Sequence, residues 1–505
     1  MTNTGSPPAP NPAGAIGIAT FRNSYAALPS SFYARTAPTA VAAPRLIAFN
    51  HALASELGLD TTTCDDTALA AIFSGNVIPS GADPLAIAYA GHQFGNFVPQ
   101  LGDGRAILIG EVIDQAGRSR DIQLKGSGPT PFSRRGDGRA ALGPVLREYL
   151  VSEAIHALGI PSTRALAAVT TGDMILREGP VPGAVLTRVA ASHVRVGTFE
   201  YFAARDDQAS LKHLTDYVIT RHYADAGHDQ NPALALLKAV VRRQAQLIAK
   251  WMGVGFIHGV MNTDNMAISG ETIDFGPCAF MESYDSMQVF SAIDEFGRYA
   301  YANQPRIAQW NLARFAEAIL PLIDEDQQRA VALATEAISG FSSQYQTSWL
   351  EQMRHKLGLM TVQPDDEQLI RGLLDLMQAG QTDFTSTFRT LSHAASNLTA
   401  ENFTALFPDT SAIHDWLHAW RFRISQETAS PAAREKSMLA INPVYIPRNH
   451  QIEAVIRAAV DANDFSPFEK LHSVLARPFT DTAAFDAYKT PAQTHERVLR
   501  TFCGT

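Results

Sequence analysis

The stretch His258-Gly-Val-Met-Asn-Thr-Asp-Asn265, followed by Asp274-Phe-Gly276, constrains the fold of this chain more than any other. Asn265 lies seven residues after His258, and Asp274 lies nine residues after Asn265. The residues between them, 266–274, are typical of a short hairpin, which would present Asn265 and Asp274 from its two ends. An amide oxygen and a carboxylate on one side of a hairpin suit a hard divalent cation that carries a triphosphate.

Protein-kinase-like phosphotransferases carry a loop with the same His-to-Asn spacing, H-R-D-x-x-x-x-N, and then D-F-G. In that pattern Asn265 corresponds to the asparagine that holds a metal ion, and Asp274 corresponds to the aspartate that joins metal to phosphates. The third position of the loop, where kinases place the catalytic aspartate, is occupied by Val260. Valine accepts no proton, so the pattern predicts a metal-nucleotide site that lacks the usual base for phosphorylating a hydroxyl.

The composition is that of a globular protein. The chain has 505 residues, of which 46% are hydrophobic and 18% charged, enough for two to four domains or for one two-lobed enzyme with an appendage. A net charge of -9 gives no global basic field, so no nucleic-acid partner is expected. No run of about 18 apolar residues appears, so no membrane span is expected.

The ends of the chain and its cysteines bear on the compartment. Residues 1–17 are rich in Pro, Ala, Gly, Ser and Thr and match neither a signal nor a transit peptide; they are expected to form a disordered tail of a cytoplasmic protein. Three cysteines, Cys64, Cys278 and Cys503, cannot form a disulfide framework and suggest no zinc site. No coiled-coil seam is evident, and a monomer is expected.

The first part of the chain contains strand-like runs and short helical patterns. Residues 106–113 and 120–125 predict a β-hairpin, preceded by Gly102 and Gly104, whose lack of a side chain lets backbone amides approach phosphate oxygens. Lys125 ends the second strand, as the phosphate-pairing lysine does in kinases. Further strands are expected at 165–170, 174–177 and 184–189, helical patterns at 44–57 and 66–73, and a polar stripe at helical spacing at His92, Asn96 and Gln100.

Arginines follow these strands in a loop and at the end of the sheet. The loop 126–139 carries three arginines and Asp137 next to Gly138, and arginine forks bind phosphate well. Arg188 and Arg195 lie at the end of the last strand and just beyond it. Both could face a triphosphate, although surface ion pairs are an alternative.

Helices dominate the rest of the pattern. Residues 142–158 predict an amphipathic helix that carries Glu148 and Glu153, two candidates for an ion pair with Lys125. A long helix is expected from Asn231-Pro232, with Asn231 as its N-cap, and further helices at 307–322, 327–341, 366–379, 384–395 and 451–462.

Several segments together resemble the selenoprotein O family. They are Gly102-Asp-Gly-Arg105, Gln123-Leu-Lys-Gly-Ser-Gly128, Ser133-Arg-Arg-Gly-Asp-Gly138, Leu146-Arg-Glu-Tyr-Leu150 and His258–Asn265, with Asn442–Asn449 and the near-terminal Cys503. The likeness runs from about residue 20 to the C-terminus. It implies an α+β, protein-kinase-like fold in two lobes. Residues 18–195 would form an N-terminal extension plus a β-rich N-lobe, and residues 196–505 a helical C-lobe with the catalytic loop and a helical C-terminal extension.

The resemblance also implies an activity. Members of that family bind ATP flipped relative to a kinase and transfer AMP to Ser, Thr or Tyr hydroxyls of proteins, with release of pyrophosphate. Asp264 would accept the hydroxyl proton, Asn265 and Asp274 would hold Mg²⁺ or Mn²⁺, and Glu148 would pair with Lys125. The residues implied to contact the nucleotide are Gly102, Gly104, Arg105, Lys125, Asp137, Gly138, Arg188, Arg195 and Asp274.

One departure from the family concerns cysteine. In the family, a cysteine after D-F-G can bridge to the near-terminal cysteine or selenocysteine. Here Cys278 lies very close to the motif and no other cysteine follows before Arg298, so a Cys278–Cys503 bridge is a hypothesis only.

Other activities stay open on the sequence alone. They are a protein or small-molecule kinase that uses Asp264 as its base, a non-catalytic ATP-binding pseudokinase scaffold, and a transferase of another nucleotide such as UMP. Val260 disfavours the kinase, and the presence of Lys125, Asn265 and Asp274 disfavours the scaffold.

Overall fold

The computed structural model describes residues 17–397 and 399–502. The tail predicted at residues 1–17 therefore lies outside the described residues except for Gly17. The chain forms two compact units. Of the described residues, the first unit contains 17–87, Asp103–Ala141 and Leu166–Ala191, and the second contains Ala88–Gly102, Leu142–Ala165, 192–397 and 399–502.

The strands lie mostly in the first half of the chain. They are β1 (Tyr33–Arg35), β2 (Arg45–Phe49), β3 (Leu85–Ile87), β4 (Gly91–Gln93), β5 (Asn96–Val98), β6 (Ala106–Ile113), β7 (Ser119–Lys125), β8 (Ala140–Ala141), β9 (Arg164–Leu176), β10 (Pro180–Ala190), β11 (Phe256–Ile257) and β12 (Ala279–Phe280).

Helices make up most of the second half. The α-helices are α1 (His51–Glu56), α2 (Asp66–Ser74), α3 (Leu142–Ala157), α4 (Val196–Ala203), α5 (Gln208–His222), α6 (Pro232–Gly253), α7 (Gln304–Ile323), α8 (Gln327–Lys356), α9 (Asp366–Gly380), α10 (Phe384–Ala394), α11 (Glu401–Thr404), α12 (Thr410–Ser425), α13 (Pro431–Leu439), α14 (Asn449–Ala462) and α15 (Ser466–Leu475). The protein is therefore a mixed α+β protein with a sheet-rich N-terminal part and a helical C-terminal part.

The first unit is built on one sheet with the strand order β1-β3-β6-β7-β10-β9-β2, and β8 pairs with β10. The hairpin predicted at 106–113 and 120–125 is confirmed as β6 and β7, with Ala106 opposite Lys125. Helix α2, predicted at 66–73, packs on β2 and β10. Phe73, Leu166 and Val189 belong to the core between them, whose burial drives the packing of helix on sheet.

One secondary-structure prediction for this unit is wrong. Residues 44–57 are not one helix, because β2 pairs with β9 and ends before Asn50, whose side chain accepts a hydrogen bond from the Leu53 amide and caps the short α1. The strands predicted at 165–170 and 174–177 are confirmed, but they are parts of one continuous strand, β9. Gly172, with φ of +76°, lets that strand continue through a left-handed position.

The second unit is built around α6, which packs against α7 and α8. Its predicted cap is confirmed, since the Asn231 side chain accepts a hydrogen bond from the Leu234 amide and Pro232 begins the helix. Helix α3 has the predicted position, but it is buried on most of its surface and packs on α14 and α15. It therefore lacks the solvent-facing side of the amphipathic helix that was predicted.

The polar stripe predicted at His92, Asn96 and Gln100 is not on a helix. Residues 91–98 form a two-stranded hairpin in which Gln93 pairs with Asn96 across Phe94 and Gly95. Both turn residues have positive φ, +52° and +85°. Two-residue hairpin turns favour this conformation. Asn96 therefore lies opposite Gln93, and His92 lies opposite Phe97.

Candidate active site

The predicted site residues fall into two groups, one in each unit. The first unit holds Gly104, Arg105, Lys125, Asp137, Gly138 and Arg188, and the second holds Gly102, Glu148, Arg195, Asp264, Asn265 and Asp274.

Lys125 and Arg188 share one face of the sheet in the first unit. On β7, Gln123 and Lys125 are two residues apart and point to the same side. Arg188 on β10 lies directly opposite Gln123, and residues opposite each other in an antiparallel pair share a face. The sheet therefore places these two cations beside each other, with the Arg188 side chain buried.

The glycine segment before β6 is held by a neighbouring loop. The Thr130 hydroxyl donates to the Asp103 carbonyl at 2.7 Å, and the Ser133 hydroxyl donates to the Gly104 carbonyl. A Cβ on Gly104 would lie 2.9 Å from the Phe132 carbonyl oxygen. This segment thus requires glycine for packing, and Arg105 follows it immediately.

Asp137 and Gly138 have structural partners in the loop 126–139. The Arg177 guanidinium donates to both Asp137 oxygens at 2.8 and 3.1 Å, and this holds the pKa of Asp137 below its usual value. Gly138 has φ of +66°, and a Cβ there would lie 2.1 Å from the Gly128 backbone. Arg177 was not among the predicted site residues.

In the second unit, His258 ties the start of the catalytic loop to the D-F-G segment. Its Nε2 donates to the Ile273 carbonyl at 2.8 Å, and its Nδ1 accepts from the Val260 amide. The ring stacks on Trp251. Burial lowers the pKa of His258, so the ring is neutral and structural. Val260, two residues after His258, is also buried.

The hairpin predicted for 266–274 is not formed. Ala267 pairs with Arg195, and Thr272 pairs with Ser162. The two ends of the segment are thus anchored by different parts of the chain rather than by each other. Asp274 adopts φ of +65°, a left-handed conformation that is uncommon for aspartate and that sets the direction of its side chain.

Arg195 joins Asp264 to Asp274. One nitrogen of its guanidinium, Nη1, donates to the Asp264 carbonyl oxygen at 2.6 Å and to Asp274 Oδ2 at 2.8 Å. The guanidinium also lies over the Tyr89 ring at 4.7 Å, a favourable cation–π geometry. The predicted base and the predicted metal ligand therefore flank one buried cation.

The Asp264 carboxylate is buried, and burial raises its pKa to about 6 against the opposing effect of Arg195. Oδ2 accepts from Gln93 Nε2 at 3.3 Å. Oδ1 is buried and has no hydrogen-bond partner among the residues that the structure describes. A buried oxygen without a hydrogen-bond partner is energetically unfavourable unless a ligand supplies that partner.

The neighbouring groups fit a divalent cation. The Asn265 amide nitrogen donates to the Val260 carbonyl at 2.9 Å, which leaves its amide oxygen as the ligand atom. Within residues 17–397 and 399–502, no three His, Cys, Asp or Glu side chains cluster as a metal centre. An amide oxygen and one carboxylate match Mg²⁺, which takes its remaining ligands from phosphates and water.

Two further predictions concern residues outside this cluster. Glu153 accepts two hydrogen bonds from the Arg164 guanidinium at 2.8 Å each; the pairing of Lys125 with Glu148 stays a prediction. Cys278 is buried and donates to the Phe275 carbonyl, whereas Cys503 lies outside the described residues.

Sequence reasoning missed Gln93, Glu200 and Tyr299, all of which contact the catalytic loop directly or through one residue. The signal was present in the polar run His92-Gln93, but helical spacing assigned it to the wrong element. Glu200 and Tyr299 carry no local signal, because only the tertiary fold brings them to the loop.

Comparison with known proteins identifies relatives over nearly the whole chain. A family model described as "Protein adenylyltransferase SelO" matches residues 17–476. A relative from Agrobacterium fabrum named "Protein nucleotidyltransferase YdiU" is 61% identical over 485 residues, which cover 96% of this chain and 99% of the relative. A relative of the same name from Rhizobium rhizogenes is 62% identical, and the match covers 96% of this chain and 97% of the relative.

These matches define the class of the protein as a nucleotidyltransferase. The chain belongs to the SelO family of protein adenylyltransferases. The resemblance inferred from the sequence motifs is thereby confirmed. In the described residues, no helix is both long and apolar enough to cross a membrane.

Proposed function

We propose that this enzyme transfers AMP from ATP to Ser, Thr or Tyr hydroxyls of other proteins. The hydroxyl oxygen forms a bond to the α-phosphorus, the bond between the α-phosphorus and its bridging oxygen breaks, and pyrophosphate leaves. The hydroxyl proton passes to Asp264. The enzyme works as a cytoplasmic monomer with a kinase-like N-lobe within residues 18–195 and a helical C-lobe within residues 196–505.

The observation that carries the proposal is the cluster of Arg195, Asp264 and Asp274. Val260 removes the kinase base, while Asp264 offers a buried carboxylate one residue from the metal ligand Asn265. A single guanidinium contacts both aspartates. This arrangement supports proton acceptance beside a bound metal-nucleotide, which is what transfer to a hydroxyl requires.

The other residues supply positioning and positive charge. Lys125 and Arg188, on one face of the sheet, are suited to the phosphates, and so are Arg105 and Arg195. The glycines Gly102, Gly104 and Gly138 let the backbone approach the nucleotide. Asp137 and Asp274 are further nucleotide contacts. Glu148 is the partner of Lys125. Nucleotidyl transfer depends mainly on such positioning and neutralisation.

Asn265 and Asp274 would hold Mg²⁺ or Mn²⁺. A divalent cation held by these two residues would supply positive charge that offsets the charge of the phosphates. Asn265 is oriented by its bond to the Val260 carbonyl, and Asp274 by its left-handed backbone and Arg195. The protein thus fixes the direction of both ligands before metal binds.

A paired labelling experiment tests the function. The protein would be incubated with Mg²⁺ or Mn²⁺, dialysed lysate proteins, and ATP labelled either on the α- or on the γ-phosphate. We expect transfer of the α-label alone. Transfer of the γ-label would instead establish a kinase, and no transfer despite ATP binding would establish a scaffold. A third arm with α-labelled UTP tests UMP transfer.

A further inference from the structure

The β4–β5 hairpin is attached to the catalytic loop at two consecutive loop residues. The His92 amide donates to the Thr263 hydroxyl at 2.7 Å, and the Phe94 amide donates to Asn262 Oδ1 at 3.1 Å. Because Gln93 lies between these two anchors, its position along the loop is fixed. The hairpin is therefore held in one position relative to Asn262 and Thr263, the two residues immediately before Asp264.

Two buried groups reinforce this attachment from the side of the loop. Glu200 on α4 contacts both His92 Nδ1, at 2.5 Å, and the Thr263 hydroxyl. The Tyr299 hydroxyl donates to Asn262 Oδ1 at 2.6 Å. Helix α4 and the segment before α7 thus hold the same two loop residues that anchor the hairpin.

The hairpin shapes the surroundings of the Asp264 carboxylate. Gln93 Nε2 lies 3.3 Å from Asp264 Oδ2, while Oδ1 has no partner in the part of the chain that the structure describes. A Cβ on Gly91 would lie 2.7 Å from Oδ1. Glycine at position 91 therefore leaves space for this oxygen, and the two oxygens of one carboxylate have different surroundings.

We infer that Gln93 is a positioning residue, which holds Asp264 Oδ2 and so fixes the orientation of the carboxylate towards the acceptor hydroxyl. This inference rests on the proposed function, because it assumes that Asp264 accepts the proton. Gln93 touches neither proton nor phosphate in this role. Its amide limits the rotation of the carboxylate, and a correctly oriented base transfers a proton far better than a rotating one.

The test compares two substitutions of Gln93. Gln93→Met keeps the length of the side chain but removes the donor, and Gln93→Lys supplies a donor again. Rates of α-label transfer from ATP to dialysed lysate proteins would be measured across ATP concentrations with Mg²⁺ present, together with the affinity for ATP. The matched control is Gln451→Met, since Gln451 is also half-buried and its amide donates to one carbonyl, that of Tyr488.

We expect Gln93→Met to lower kcat about 10- to 100-fold, the usual effect of losing a hydrogen bond to a charged group, with KM for ATP and ATP affinity within about twofold. Gln93→Lys should recover part of kcat, and Gln451→Met should match the wild type. An unchanged kcat in Gln93→Met, or a parallel loss of kcat and ATP affinity in both Gln93 variants, would overturn the inference. A wild-type enzyme without α-label transfer would refute the proposed function itself.

Discussion

At the scale of single residues, one side chain, that of Arg195, holds several groups of the site in place. Arg195 contacts the Asp264 backbone, the Asp274 carboxylate and the Tyr89 ring. Its side chain is buried, and an unpaired charge at such a position would be strongly unfavourable. Arg195 thus couples the geometry of the predicted base to that of the predicted metal ligand.

Replacing Arg195 by lysine should show this coupling. An ammonium keeps the charge but not the planar fork, so it cannot reproduce both contacts and the ring stacking together. We expect Arg195→Lys to reduce the rate of AMP transfer about 10- to 100-fold, measured with α-labelled ATP. Arg205→Lys is the matched control, because Arg205 also donates from Nη1 to two acceptors and stacks on a tyrosine, but at an exposed position. Equal losses in both variants would contradict the prediction.

The two aspartates should respond differently to removal. A general base contributes about 10²- to 10⁴-fold, so Asp264→Ala should keep measurable activity. Asp274→Ala removes a predicted metal ligand and should leave essentially no activity. ATP binding with Mg²⁺, measured separately, should weaken only in Asp274→Ala, and equal residual rates in both variants would argue against these assignments.

At the scale of elements, the β4–β5 hairpin forms one wall of the pocket for the Asp264 carboxylate. Gly91→Ala places a methyl group 2.7 Å from Asp264 Oδ1, so the carboxylate must shift. We expect a loss of at least about tenfold in transfer rate, as small misplacements of catalytic groups have large effects. Gly179→Ala is the control, since a Cβ there meets nothing within 4 Å. A fully active Gly91→Ala variant would show that the carboxylate tolerates displacement.

Local signals explain which elements could be predicted. Helices α2, α6, α7 and α14 carry a 3.6-residue period or caps within their own sequence, and the β6–β7 hairpin joins adjacent strands across a short turn. Their positions were predicted well for that reason.

The failures share a different cause, which is dependence on distant partners. Residues 266–274 resemble a hairpin, but their ends pair with Arg195 and Ser162, far away in sequence. Residues 45–49 were predicted as part of a helix, but they pair with β9 as a strand. For the candidate site, motif spacing predicted Asn265 and Asp274 and the family resemblance predicted Asp264, whereas Gln93 and Glu200 required the fold.

At the scale of the whole molecule, the C-terminal segment returns to the D-F-G region. Thr501 pairs with Ser291, and its hydroxyl donates to the carbonyl of Pro277, the residue before Cys278. If the Cys278–Cys503 bridge hypothesised from the family forms, mild oxidation should yield a cross-linked peptide by mass spectrometry that is absent in Cys503→Ser. Because the Cys278 thiol is buried, we expect oxidation to be slow. Two free thiols after oxidation would exclude the bridge.

The stability of the molecule should depend on pH through Lys356. This side chain, at the end of α8, is buried, and its ammonium nitrogen lies 4.1 Å from the centroid of the Phe388 ring. No carboxylate of the described residues pairs with it. Burial lowers the pKa of Lys356 from 10.5 to about 7, because the apolar surroundings disfavour the charged form.

The sign of the effect follows from proton binding. Between pH 7 and 10.5 the unfolded chain holds a proton on Lys356 that the folded chain has lost, so the free energy of unfolding rises with pH across this window. Below pH 7 both states are protonated and the full penalty of burying the charge remains. Lys356→Met removes the group. It should therefore stabilise the protein by on the order of a few kcal/mol near pH 7, and this gain should shrink towards pH 10.

Chemical denaturation of wild type and Lys356→Met at several pH values measures this difference directly. The exposed Lys436 offers the control, because Lys436→Met changes the same charge without removing a buried one and should leave the pH dependence of stability unchanged. A stability difference between Lys356→Met and the wild type that stays constant from pH 7 to pH 10 would mean that Lys356 keeps its proton in the folded protein. The two aromatic rings around it, Phe384 and Phe388, would then stabilise the ammonium by more than its burial disfavours it.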